Sequence, residues 1–167
     1  MAFIGQYRVG RIAGALCMVL ALAACASNPA VDPNQQAAGY GAGAATPGSP
    51  QDFVVNVGDR VFFESDSTEL TMQSRATLDK QVTWLQRYNR YTFTIEGHAD
   101  ERGTREYNIA LGARRAQAVR EYLAARGINS QRMRTISYGK ERPVAVCNDI
   151  SCWSQNRRAV TVINTSS

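Results

Sequence analysis

At 167 residues the chain has room for one ordinary domain plus targeting and linker segments, and 44% hydrophobic with 20% charged residues is a globular composition. The formal charge of +5 comes with no basic stripe and no interleaved aromatic platform, which argues against nucleic acid as a partner. One histidine offers too few ligands for a metalloenzyme, so neither a metal nor a cofactor is expected.

Residues 1–24 read as a signal peptide. Arg8 and Arg11 precede an apolar run over 12–22, too short to span a bilayer comfortably and of the length of a secretory h-region. Leu22-Ala23-Ala24-Cys25 follows. It resembles the bacterial lipobox, in which small residues fit the lipoprotein signal peptidase and the cysteine thiol carries a diacylglyceryl group. Lipidation at Cys25 gives a stable anchor, because each buried methylene of the acyl chains contributes about 0.8 kcal/mol. Ordinary cleavage after Ala21-Leu22-Ala23, leaving a soluble protein, is the competing reading. Loss of residues 1–24 removes two arginines and no acid, so the balance falls to +3, 17 basic against 14 acidic residues. Ala26, where a retention signal would place Asp, points to the outer membrane by resemblance to the enterobacterial sorting rule.

Residues 25–51 form the expected lipidated N-terminus and tether. From 26 to 51 the sequence holds four of the five prolines, many Ala and Gly, and no Lys or Arg, so it cannot bury a core. As a random coil it spans roughly 25 to 30 Å, and fully extended about 90 Å.

The globular domain is expected over 52–167. Short strands are predicted at 54–57 and 60–64, then the polar turn Ser65-Asp66-Ser67. A helix over 74–88 carries Leu78, Val82 and Leu85 at helical spacing, with Trp84 flanking. The alternating segment 91–98 predicts a strand, 105–126 a second helix with Gly127 as its C-cap, and 133–138 and 159–163 the last two strands. The expected fold is α+β: a mixed β-sheet with two main helices packed on one face, in β-α-β-α-β-β order.

The stretch 97–123, GHADERGTREYNIALGARRAQAVREYL, is the most informative in the chain. On a helical wheel Tyr107, Leu111, Ala118, Tyr122 and Leu123 form one apolar stripe, and Arg115 falls among them. A guanidinium there is costly to desolvate unless an acceptor meets it. Asp100, in the turn-forming run before the helix, is the natural acid. Two readings share these residues: a site for a zwitterionic ligand, and an internal Asp–Arg salt bridge joining loop to helix.

Cys147 and Cys152 are separated by four residues in the loop VCNDISCW. A disulfide is the favoured pairing in an oxidising compartment, worth about 2 kcal/mol for so small a ring. Zinc needs further ligands and the single histidine, His98, is distant in sequence; a catalytic thiol has no evident partner. His98 at a strand end reads as a packing residue rather than a base.

GHADERGT at 97–104, EYNIALGARRA at 106–116, SYGKERP at 137–143 and SQNRRAV at 154–160 together resemble the OmpA-like peptidoglycan-binding domain family, over roughly residues 60–163. The lipobox and tether match the layout of its lipid-anchored members. The resemblance implies a domain that grips the diaminopimelate of the peptidoglycan stem peptide without cleaving it. The family's acidic and basic contacts fall on Asp100, Arg115 and Asp66, with Leu111 as apolar backing. Diaminopimelate presents an ammonium and a carboxylate on one carbon, which a carboxylate and an arginine fork answer. Arg102 is a further candidate, its alternative being a solvated charge; Arg157 and Arg158 read as structural, fixing the last strand against acids. Ala99, Ser65 and Arg105 stand where the family usually has Thr, an aromatic and Pro.

The implied function is that of an outer-membrane lipoprotein facing the periplasm, tethering membrane to cell wall in envelope integrity and cell division. Its implied partners are peptidoglycan, TolB and other Tol-system proteins, and the outer membrane through lipid on Cys25. A cell-wall hydrolase would use two of Glu64, Asp66 and Asp100 as an acid and base pair. No raised carboxyl or substrate groove is evident from sequence, so no enzyme is expected. A purely protein-interaction module of the periplasm is the remaining alternative.

Overall fold

The computed structural model describes residues 45–165; the expected signal peptide, Cys25 and the expected tether through residue 44 lie outside the described residues. Ser49 caps α1 (Pro50–Asp52) by accepting from the Asp52 amide, and Pro50 occupies the first turn, where its missing N–H costs nothing. This helix widens into a π-helical segment (Phe53–Gly58), which replaces the strand expected at 54–57. The run FVVNV is rich in β-branched residues, but Phe53 is fully buried while Val54 and Val55 face solvent, and the upstream cap had already set the backbone helical. Gly58, at φ +95°, ends the segment.

Packed chain reaches back to Gly48, short of the expected boundary at Asp52. The Gly48 amide donates to Asp52 Oδ2, its carbonyl accepts from Arg90 and Tyr91, and the Trp84 indole donates to the same Asp52 oxygen at 2.8 Å.

The rest alternates strand and helix: β1 (Arg60–Phe62), α2 (Met72–Arg87), β2 (Phe93–His98), α3 (Arg105–Ala125), β3 (Met133–Gly139), α4 (Ile150–Asn156) and β4 (Arg158–Ile163). The sheet order is β1-β4-β2-β3, with β2 and β3 parallel and the other pairs antiparallel. This is the expected α+β architecture with one addition. Helix α4 was not anticipated, because seven residues are too few to show apolar periodicity. Asp149 starts it by accepting from the Ser151 amide. The expected disulfide Cys147–Cys152 is formed across the turn leading into it, Cα atoms 5.7 Å apart.

Thr71 and Thr104 cap α2 and α3 through their hydroxyls. The predicted C-cap Gly127 sits at φ +89°, and the Ile128 amide returns to the Leu123 carbonyl. Helices α2 and α3 share one core with the sheet, built on Leu78, Leu85, Phe93, Ile95 and Leu123, all fully buried. Each buried leucine contributes about 2 kcal/mol.

The buried stripe of α3 is rotated from the expected one: Asn108, Leu111, Gly112, Arg115, Ala116, Val119 and Leu123, whereas Tyr107 is 44% exposed. The reason is proximity. A Cβ on Gly97 would lie 1.8 Å from the Gly112 carbonyl oxygen, so α3 lies directly on β2 through two glycines. Small residues mark this seam, where large apolar ones were expected.

His98 lies on the opposite face of the sheet, 2% exposed, its ring 5.6 Å from that of Tyr138. Neither ring nitrogen has a hydrogen-bond partner among the described residues. Nε2 approaches Glu96 at 3.7 Å, yet burial, followed by the charges of Arg158, Arg142 and Arg60, pulls the imidazole down to about 4. The contact is therefore that of a neutral ring at pH 7. Because the unfolded chain takes up this proton near pH 6.5 and the folded one only near 4, stability falls as pH drops through that window, by about 3 kcal/mol in total. Urea midpoints measured from pH 7 to 4 will show this slope in the wild type, and His98→Leu will flatten it.

Candidate functional site

The turn after β1 and the loop after β2 meet over the first half of α3, enclosing a cleft of about 310 Å³ lined by Asp66, Asp100, Arg102, Tyr107, Asn108 and Leu111 among others. Four of the five expected site residues, Asp66, Asp100, Leu111 and Arg102, thus come together.

Asp66 sits at φ +55° in the turn, a left-handed conformation that Asp tolerates better than most residues. The Tyr107 hydroxyl donates to its Oδ1. Leu111, 4% exposed, closes the apolar side.

Asp100, 6% exposed, is held from two sides. Arg102 donates from its backbone amide and Nε to Oδ1 and from Nη2 to Oδ2 at 2.7 Å. Arg157 Nη1 donates to Oδ2 at 3.4 Å from the buried side, while its Nε holds the Phe63 carbonyl. Burial alone would push the carboxyl up; these bonds outweigh it and hold the group below the usual carboxylate value. Asp100 is therefore a charged acceptor at neutral pH.

Arg102 also donates from Nη2 to Ser65 Oγ, and its carbonyl accepts from Asn108 Nδ2. Both N–H groups of Nη1 have no partner among the described residues, and the side chain is 45% exposed. Arg102 is thus more than a solvated charge. It lines the cleft and keeps donors unused on Nη1.

Arg115 is placed differently from expectation. It is fully buried and does not line the cleft. Its Nε donates to the Ser67 carbonyl at 2.9 Å, Nη1 to that of His98 at 2.9 Å and Nη2 to that of Glu64 at 3.1 Å. Phe63 lies 5.2 Å from the guanidinium carbon. No direct bond joins Arg115 to Asp100 among the described residues, so the internal salt bridge weighed from sequence is absent there. Burial pulls its pKa down to about 10, Asp100 opposing, and it stays protonated at neutral pH. The residue clamps backbone: it fixes both ends of the turn carrying Asp66 and the strand end leading to Asp100.

Arg157 meets an acid as expected, but Arg158 instead donates to the carbonyls of Asn156 and Arg142. Sequence reasoning missed Tyr107, Asn108 and Trp153 as supports of the site; Tyr107 was assigned to the core stripe, and the other two carried no periodic signal. The residues departing from the family pattern have local uses: the Ala99 amide donates to the Gly139 carbonyl, Ser65 accepts from Arg102, and Arg105 pairs with Glu141 at 3.0 Å.

The model of the OmpA family matches residues 62–157. The peptidoglycan-associated lipoprotein of Rhizobium meliloti (strain 1021) is 67% identical over 149 residues, 89% of this chain and 85% of that protein. That of Brucella melitensis is 65% identical over 153 residues, covering 92% and 91%. Among solved structures, the peptidoglycan-associated lipoprotein from Burkholderia pseudomallei superposes with a TM-score of 0.65 at 38% identity, over 70% of this chain and 100% of that one. The C-terminal domain of Helicobacter pylori MotB, at 22% identity and a TM-score of 0.60, covers 65% of this chain and 86% of that one and shares the fold.

Removing the Arg115 side chain leaves three carbonyls without their donor and a void beneath the cleft, a loss of about 3 to 5 kcal/mol. Arg115→Ala will therefore lower the urea midpoint sharply, whereas Arg114→Ala, on the exposed face of α3, will leave it within experimental error.

Proposed function

The chain belongs to the OmpA family, with the peptidoglycan-associated lipoproteins among its relatives, and from that premise we propose that it binds peptidoglycan non-covalently and without cleavage. Its ligand is the diaminopimelate of the stem peptide. The observation that carries this reading is the cleft itself: two carboxylates, Asp66 and Asp100, beside the unused Nη1 edge of Arg102 and the apolar wall of Leu111. An ammonium and a carboxylate on one carbon match that arrangement, the first accepted by the carboxylates and the second taken by the guanidinium. Arg115 contributes from below, holding the two loops in register and offsetting the carboxylates with its charge.

The rest of the reading is topological. Residues 1–24 direct export, Cys25 carries the lipid that holds the chain to the outer membrane, and residues 25–51 give the domain, over 52–167, its reach to the wall. No helix among the described residues is long and apolar enough to cross a membrane. TolB and other Tol-system proteins are the protein partners, with a role in envelope integrity and cell division; competition between wall and TolB for the cleft would make the two alternate.

Co-sedimentation with purified sacculi tests the site. Asp100→Asn and Arg102→Ala each leave a ligand charge unpaired, at about 2 to 5 kcal/mol, and will reduce pelleting more than tenfold with the fold retained. Full pelleting by both folded variants would overturn the site, and muropeptides released by the wild type would reinstate a hydrolase.

A further inference from the structure

The disulfide-closed turn leading into α4 takes no part in the charge pairs of the cleft, yet it delivers Trp153 to them. The Arg102 guanidinium lies 4.3 Å from the Trp153 ring centroid. The Trp153 indole N–H donates in turn to Glu101 Oε1 at 3.0 Å, the residue between Asp100 and Arg102. Trp153 follows Cys152 directly, and Cys152 is bonded to Cys147.

Arg102 is long, partly exposed and rooted in a loop, so its guanidinium would otherwise sample many rotamers. Here it is fixed on two fronts. Asp100 and Ser65 take its Nε and Nη2 edge, and the indole supports the planar group. What stays available is the Nη1 edge, in one orientation. Trp153 in turn depends on its own support. Asn156 ties the far side of the turn, its Oδ1 accepting from the Val144 and Ala145 amides and its Nδ2 donating to the Ala145 carbonyl. Between these ties Val146 is 83% and Ile150 62% exposed, so packing does little for them; the Cys147–Cys152 bond and the bonds of Asp149 to the Ser151 amide and hydroxyl restrain the turn.

We propose that Trp153 is a positioning residue, holding Arg102 with its Nη1 edge toward the ligand carboxylate, and that the Cys147–Cys152 disulfide keeps Trp153 in place. The inference rests on the wall-binding reading and adds to it a preference: the ligand recognised is a stem peptide whose diaminopimelate carboxylate is free, because a neutral amide gains less than a carboxylate from a fixed, positively charged Nη1 donor. The disulfide then sets affinity as well as stability.

Fluorescence anisotropy with two labelled stem peptides, one with free diaminopimelate carboxylate and one amidated, tests this in the full folded domain. Trp153→Leu keeps apolar packing and removes the π face; it will weaken the free-carboxylate peptide about tenfold and shrink its advantage over the amide. Trp153→Tyr will restore affinity to within about twofold, since a stacking face returns. In an Arg102→Ala background Trp153→Leu will change nothing further, because it acts through Arg102. Cys147→Ser with Cys152→Ser will reproduce the loss of preference at unchanged secondary structure. Additive effects of Trp153→Leu and Arg102→Ala, or full affinity in Trp153→Leu, overturn the inference while leaving wall binding standing. Wild-type protein that binds neither peptide overturns both.

Discussion

A protonated arginine with no solvent exposure and no carboxylate in contact is the constraint on which the cleft depends. The Arg115 guanidinium is satisfied by three backbone carbonyls, those of Glu64, Ser67 and His98. Only a planar fork reaches three acceptors spread over the two ends of a turn and a strand end; a lysine ammonium concentrates its donors at one point. The geometry also accounts for the turn between β1 and α2. With the carbonyls on both sides of it pinned, Asp66 takes a left-handed conformation and presents its carboxylate to Tyr107. Desolvating this charge is costly, and the nearby carboxylate of Asp100 offsets part of that cost across a gap rather than through a bond.

Asp100 links the interior to the surface. On its buried side stands Arg157, between α4 and β4, on its exposed side Arg102, and beyond that Trp153 on α4. Each member holds a different part: Arg157 the Phe63 carbonyl just past β1, Arg102 the loop, and half-buried Trp153 the side chain of exposed Arg102. A ligand arriving at the outer end meets groups whose orientation is set from below, which lowers the ordering cost of binding.

The positive charge of the chain takes on a different meaning in this light. Several arginines are backbone staples rather than a solvated surface: Arg115 and Arg157 as above, Arg158 on the carbonyls of Asn156 and Arg142, and Arg132 on those of Leu85, Tyr88 and Tyr91. The two main helices, the strands from β1 onward, the Gly127 stop and the cysteine pairing were legible from sequence because each rests on local chemistry. The cleft was legible as a cluster of residues but not as a division of labour. Spacing puts Arg115 on the buried side of α3, yet nothing local states whether its partner is a ligand, Asp100 or main chain. The rotated stripe of α3 was hidden for a related reason: contact through Gly97 and Gly112 is carried by missing side chains, which no apolar pattern records. Trp153 reaches Arg102 across 51 positions, and Glu101 across 52 in its hydrogen bond, a tertiary juxtaposition without periodicity.

Direct contact and support from below are separable in solution. Arginine side-chain N–H resonances of the folded domain, followed by nuclear magnetic resonance during titration with a diaminopimelate stem peptide, report each guanidinium on its own. The account predicts that the Arg102 signals shift with ligand while those of Arg115 hold their positions and remain protected from solvent exchange. Arg115 signals that move or lose protection on binding, with Arg102 unaffected, would contradict it and return the ligand fork to the buried arginine.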